Sequence, residues 1–170
     1  MVNKIYYSWQ DINHQVAELA HQIIKSGWKP DYIVGLTRGG LTPAAMLSHF
    51  LGVKMHTLDV RLRDGDCELE SNAWMADDAF GYERDAPMKI LIVDDINDTG
   101  ATFEWIKKDW QSSCIPADPK WSGIWNDTVK FAVLTNNLAS PAKVDYAAKE
   151  VNKEEEDCWL VYPWEEWWKI

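Results

Sequence analysis

The stretch Lys89-Ile90-Leu91-Ile92-Val93-Asp94-Asp95-Ile96-Asn97-Asp98-Thr99-Gly100-Ala101-Thr102 decides the fold. Four consecutive apolar residues, Ile90 to Val93, predict a buried strand. Two adjacent carboxylates, Asp94 and Asp95, then stand at its C-terminal end, which is where open α/β sheets bind their ligands. Neighbouring acids repel unless solvent, a cation or the hydroxyls of a polyol offset their charge. Thr99, Gly100 and Thr102 follow at a predicted helix N-terminus, where hydroxyls and backbone N–H groups suit a phosphate. One short segment therefore combines carboxylates fit for a diol with a cradle fit for a phosphate.

The flanking sequence supports a parallel α/β sheet flanked by helices. Ser8-Trp9-Gln10-Asp11 reads as a capping box. Ile12, Val16, Leu19, Ala20, Ile23 and Ile24 keep helical spacing behind it, up to a C-terminal Gly27. Tyr32 to Leu36 is a second buried strand, leading into Thr37-Arg38-Gly39-Gly40. Pro43 is expected at the first position of a helix that runs to Leu51, and Val53 to Val60 is expected as another strand. Residues 62–87 are polar and without period, and are read as a long flexible loop or lid. Phe103 to Trp110 reads as a helix, 111–128 as a connecting excursion, Val129 to Leu134 and the region of Asp145 to Ala148 as strands. Lys153 to Asp157 is expected to be a solvated face, and a last segment begins at Trp159.

Composition bounds the partners. The 170 residues, 46% hydrophobic and 26% charged, fit a single domain spanning 1–170. Seventeen basic against 27 acidic side chains leave a net charge of −10, which argues against a nucleic-acid partner, since duplex affinity rests on cationic side chains. A small phosphorylated ligand remains open to such a chain through backbone N–H groups, a few placed arginines and a divalent metal. Cys67, Cys114 and Cys158 form neither a disulfide framework nor a zinc pattern, and His14, His21, His49 and His56 form no ligand set. With no apolar leader and no run of about 20 apolar residues, no membrane partner is expected, and the reading is a cytoplasmic protein.

The Ile90–Thr102 segment resembles the phosphoribosyl pyrophosphate motif of the type I phosphoribosyltransferases. Asp31-Tyr32-Ile33-Val34-Gly35-Leu36-Thr37-Arg38-Gly39-Gly40-Leu41-Thr42-Pro43-Ala44 resembles the pyrophosphate loop of their xanthine–guanine (purine) branch and its archaeal and bacterial relatives. Trp159-Leu160-Val161-Tyr162-Pro163-Trp164-Glu165 resembles that branch's base-binding segment. The resemblance implies a Mg2+-dependent transfer of a phosphoribosyl group from phosphoribosyl pyrophosphate to a purine base. It implies that Asp94 and Asp95 hold the ribose hydroxyls, directly or through the metal. Asp98 is implied as general base, with Thr99, Gly100, Ala101 and Thr102 joining it around the 5′-phosphate. Arg38, Gly39, Gly40 and, less specifically, Arg61 are implied for pyrophosphate, with a non-proline cis peptide at or beside Arg38. Trp159 would stack on the base while the backbone of Leu160 or Val161 reads its edge. Residues 62–87 would be a hood over the reacting centre, and the protein would be a homo-oligomer, dimer or tetramer.

The sequence departs from the purine branch at one place. By register Asn137 stands where that branch has a lysine that contacts the purine 6-oxo group. An amide both donates and accepts, so Asn137 in that role implies relaxed selectivity with 6-oxopurines still ahead. The other reading is that Asn137 caps the turn after its strand and that Asn136 or Lys143 reads the base. An alternative function on the same fold is a non-catalytic sensor of the donor or a nucleotide, against which the presence of Asp98 argues. A phosphatase of the Asp-x-Asp type does not fit the Asp95-x-x-Asp98 spacing.

Overall fold

The computed structural model describes residues 2–60 and 73–169. In chain order its elements are β1 (Asn3–Tyr6), α1 (Trp9–Ser26), β2 (Tyr32–Thr37), α2 (Leu41–Leu51), β3 (Lys54–Asp59) and α3 (Ala73–Phe80). Then come β4 (Ile90–Asn97), α4 (Ala101–Ser113), α5 (Lys120–Gly123), a π-helical turn (Ile124–Thr128), β5 (Val129–Asn137), β6 (Tyr146–Val151) and β7 (Cys158–Val161). Five strands make one sheet in the order β3-β2-β4-β5-β6, every neighbouring pair parallel. Its central register runs Val34↔Ile92↔Phe131.

Side chains alternate across this sheet although its strands are continuous apolar runs. Ile33, Leu91, Val93, Ala132 and Leu134 pack under α1 and α2. Val34, Leu36, Ile90, Ile92 and Phe131 pack with α3, α4 and the Trp121 segment. Both faces are covered, and this is why the runs read as unbroken hydrophobic stretches. The capping box of α1 is formed, with Ser8 N–H donating to Asp11 Oδ2 at 2.7 Å and Asp11 N–H to Ser8 Oγ at 3.1 Å. Gly27 ends that helix in the left-handed region at φ 72°.

Several expectations need correction. α2 begins at Leu41, so Pro43 stands in its third position. Its missing N–H still falls in the first turn, where no intrahelical partner exists. The segment 62–87 is not a loop throughout: the part described, 73–87, contains α3, whose Met75, Ala76, Ala79 and Phe80 are buried. Their helical spacing is interrupted by Asp77 and Asp78, and Asp78 is itself paired with Arg84 at 2.6 Å and with the Tyr32 hydroxyl at 3.2 Å. The rest of that stretch, with Arg61, lies outside the described residues. The excursion 111–128 is a core element. It carries Trp121, 1% exposed, whose Nε1 donates to the Cys114 carbonyl at 2.9 Å and whose ring stacks on Trp125 at 5.4 Å. β1 has no counterpart in the sequence reading. It pairs in parallel with β7 in a separate two-stranded sheet, Ile5 opposite Leu160, and so anchors the chain's last segment.

Trp121 fills the space between α3, α4 and the sheet. Trp121→Ala is expected to destabilise the protein by about 3–5 kcal/mol through lost burial and the cavity left behind. Urea denaturation followed by far-ultraviolet circular dichroism measures this, and a loss under about 1 kcal/mol would show that the 111–128 segment is not part of the cooperative core.

Candidate active site

The C-terminal ends of β2 and β4, the start of α4 and the segment around β7 enclose a cavity of about 650 Å3. Its wall contains Thr37, Arg38, Asp94 to Thr102, Lys153, Trp159, Leu160, Tyr162 and Glu165. The strand–acid–Thr-Gly segment and the Arg38 loop therefore meet in one place because β2 and β4 are neighbours in the sheet. The Thr37–Arg38 peptide is cis, where the resemblance places one.

Asp94 and Asp95 stand where β4 leaves the core. Burial, reinforced by the charge of Asp95, holds the Asp94 carboxyl well above the usual carboxylate range. Burial likewise pushes Asp95 up to about 6. Asp94 Oδ1 accepts the Asp95 N–H at 2.9 Å, which fixes one carboxylate against the backbone of the next residue. The Arg38 loop closes down on this pair: a Cβ at Gly39 would lie 2.0 Å from Asp95 Oδ2, so only glycine lets the two segments approach this far. Behind Asp95, its carbonyl oxygen accepts from the Tyr162 hydroxyl at 3.0 Å, and that hydroxyl also lies 3.1 Å from Thr135 Oγ1. Burial raises the Tyr162 phenol well above its ordinary value.

The loop after Asp98 turns into α4 through Gly100, at φ 79°, with the Thr99 hydroxyl 3.4 Å from the Ala101 N–H. Gly100 needs both the positive φ and the space, since a Cβ there would meet Ala142 Cβ at 2.7 Å. The first-turn N–H groups of α4 have no partner within their own helix and open on the cavity side, an arrangement that suits an anion. Asp98 Oδ1 is paired with Lys153 Nζ at 3.0 Å. Asn97, 2% exposed, braces the loop from beneath. Its amide donates to Asn136 Oδ1 at 2.8 Å and to the Ala142 carbonyl at 2.9 Å, and its Oδ1 accepts from Ser140 Oγ at 3.0 Å.

The structure brings Arg38, Asp94, Asp95, Asp98, Thr99, Gly100, Ala101, Thr102, Trp159 and Leu160 to one wall, with Gly39 against Asp95. It does not bring Val161 or Asn137 there. Val161 is buried, and its carbonyl accepts the Tyr7 N–H at 2.9 Å. Asn137 is buried too, its Nδ2 donating to the Asp98 carbonyl at 2.9 Å and its Oδ1 accepting the Ala139 N–H at 3.3 Å, the turn-capping arrangement. Lys143 is on another face, beside Glu104 and Trp125. Lys153, Tyr162 and Glu165 also line the cavity; Tyr162 and Glu165 fall in the segment that resembles a base-binding one but have no role of their own in the sequence reading, and Lys153 is not singled out there. Lys153 was hidden at the head of an acidic run read as solvated, whereas its side chain is 17% exposed.

Three comparisons bear on this geometry. Residues 2–167 match the model of the phosphoribosyl transferase domain. Hypoxanthine-guanine phosphoribosyltransferase of Schizosaccharomyces pombe is 23% identical over 184 residues, covering 95% of this chain and 89% of the relative. Xanthine-guanine phosphoribosyltransferase of Chromohalobacter salexigens is 24% identical over 161 residues, covering 93% and 82%. The crystal structure of a purine phosphoribosyltransferase from Pyrococcus horikoshii superposes with a TM-score of 0.68 at 26% identity, over 97% of this chain and 96% of that one. An acidic pair at the end of a central parallel strand, a Thr-Gly turn beside it, and a match running nearly end to end agree: the chain is an enzyme of the phosphoribosyltransferase family.

Proposed function

We propose that the protein transfers a 5-phosphoribosyl group from phosphoribosyl pyrophosphate to a purine base, a 6-oxopurine, and releases pyrophosphate and a nucleoside monophosphate. The observation that carries this reading is the single cavity in which Arg38, the Asp94–Asp95 pair, Asp98, the Thr99–Thr102 turn and Trp159 meet. The purine specificities in the names of the relatives point the same way.

In this reading the 5′-phosphate sits on the first turn of α4, bonded by its N–H groups and by the Thr99 and Thr102 hydroxyls. Asp94 and Asp95 take the ribose hydroxyls. Arg38 holds the pyrophosphate, where its guanidinium meets the charge that grows as the C1′–oxygen bond breaks. A ring nitrogen of the base forms the new bond to C1′, and Asp98 accepts the proton that the base sheds. Trp159 covers one face of the base and excludes water from a cationic sugar.

The acidic pair fits Mg2+. Its oxygens are hard donors in a desolvated setting that disfavours their own charge, a cost a divalent cation removes. Among the described residues no cluster of three or more histidine, cysteine or acidic side chains is disposed around one ion. Asp94 and Asp95 would therefore hold the ion together with oxygens of the donor and water, a common arrangement where magnesium serves phosphates. When bound, the ion neutralises charge on the leaving group.

Isothermal calorimetry should show phosphoribosyl pyrophosphate binding that strengthens when Mg2+ is added. No binding of donor or nucleotide at millimolar ligand would sink the reading. Asp98→Asn should lower kcat by about 10²–10⁴ and leave donor affinity largely intact, as removal of a general base does. Normal turnover by that variant, in steady-state assays with hypoxanthine, would show that the proton goes elsewhere.

The carboxylate pair also links function to stability. Asp95 has a higher pKa in the fold, about 6, than its ordinary 3.8. Its stabilising contribution is then complete below about pH 4 and is lost as pH rises through about 6. Without donor and divalent ion at pH 8, Asp95→Asn is expected to be about 1–3 kcal/mol more stable than the natural protein and to bind donor more weakly. Paired urea titrations check this, and a lower midpoint for the variant would contradict it.

A further inference from the structure

We infer that Lys153, delivered by the β6–β7 connection, is the residue that selects the substituent at position 6 of the base. The inference rests on the purine-transferase reading of the cavity and assigns its selectivity to one side chain. Arg38 and Lys153 are the cations in the cavity wall among the described residues. Arg38 follows β2, in the loop that closes on Asp95. Lys153 is the cation at Asp98, its Nζ 3.0 Å from Asp98 Oδ1.

An acceptor and a donor thus stand side by side, one carboxylate oxygen and one ammonium. A purine presents two adjacent polar groups on one edge, the imidazole N7 and the substituent at carbon 6, and protein groups read them together. A base with a proton on N7 and an oxygen at carbon 6 satisfies both partners: N7–H donates to Asp98, and the oxygen accepts from Lys153. An amino group at carbon 6 would face an ammonium, which can only donate, and would leave a desolvated donor unpaired. As Asp98 takes the proton, the ammonium also faces the negative charge that spreads onto the oxygen.

Asn137 has a different part in this arrangement. Its amide is used inside the fold: Nδ2 donates to the Asp98 carbonyl at 2.9 Å, and Oδ1 accepts the Lys153 N–H at 3.2 Å and the Ala139 N–H at 3.3 Å. It ties the Asp98 loop to the Lys153 loop and so sets the spacing of acceptor and donor. Asn137 is a positioning residue, and Lys153 makes the contact.

The test is steady-state kinetics with hypoxanthine, guanine and adenine for the natural protein, Lys153→Met, Lys153→Gln and Lys153→Arg, with donor binding by calorimetry to report an intact site in each. The expected result is a loss of about tenfold or more in kcat/KM for hypoxanthine and guanine in the Met and Gln variants, since charged hydrogen bonds exceed neutral ones. Adenine should change little, donor affinity should hold, and Lys153→Arg should keep part of the preference. An equal loss for all three bases would make Lys153 a mere counter-ion of Asp98 and overturn the inference, as would unchanged selectivity in the Met and Gln variants. A natural protein that binds donor but turns over no purine would overturn the functional reading and this inference with it. A natural protein selective for 6-oxopurines whose variants stay equally selective would overturn the role of Lys153 alone.

Discussion

Two carboxylates held side by side at the mouth of a buried strand are the constraint on which the rest of the structure depends. Asp94 and Asp95 leave a core in which Ile90 to Val93 have no exposed surface, and burial holds both carboxyls above their ordinary range. The fold accepts that cost and fixes the pair from several sides. Asp94 is bonded to the next backbone N–H, the Asp95 carbonyl is bonded by Tyr162, and the Gly39 backbone lies against the Asp95 carboxylate. Groups so placed are preorganised for a ligand whose hydroxyls or cation relieve the repulsion. A cation or a diol bound at the pair, as proposed, would offset the cost of holding it there.

Buried amides brace this edge alongside the Lys153–Asp98 ion pair. Asn97 joins β4 to Asn136 on β5 and to the Ser140–Ala142 turn, and Asn137 joins the Asp98 loop to the Lys153 loop. Satisfied networks of this kind specify one arrangement because each member is costly to leave unpaired. They also engage both ends of the Asn137 amide inside the fold despite its place at the end of β5. Parallel strands all end at the same edge, so their terminal polar residues have each other as partners as well as a substrate.

What could be read from the sequence was contiguous in it. β4, Asp94, Asp95, Asp98 and the turn into α4 lie within thirteen residues, so strand burial, charge placement and helix start reinforce one another. The Arg38 loop and the helix capped by Ser8 were legible for the same reason. Features made by distant contacts were not. β1 is four residues, mostly exposed, and is defined by its pairing with β7. α3 hides its apolar spacing behind an aspartate whose partners are Arg84 and Tyr32. Lys153 looks like a surface lysine until the chain reversal between β6 and β7 sets it beside Asp98, and the register that pointed to Asn137 carries no information about which way its amide turns.

An acidic protein that binds a polyanion needs its positive potential concentrated. With a net charge of −10 the chain as a whole repels such a ligand, and the cavity wall itself carries Asp94, Asp95, Asp98 and Glu165. The opposing charges are placed at separate points: Arg38 on the β2 side, the positive end of the α4 dipole beside Thr99–Thr102, and Lys153 at Asp98. The carboxylates therefore differ in what stands opposite them. Asp94 and Asp95 face each other and gain from a cation or a diol. Asp98 faces the Lys153 ammonium instead, at 3.0 Å. What the rest of the fold brings opposite these three carboxylates is thus different for the pair and for Asp98, and the proposed division between ligand binding and proton transfer follows that difference.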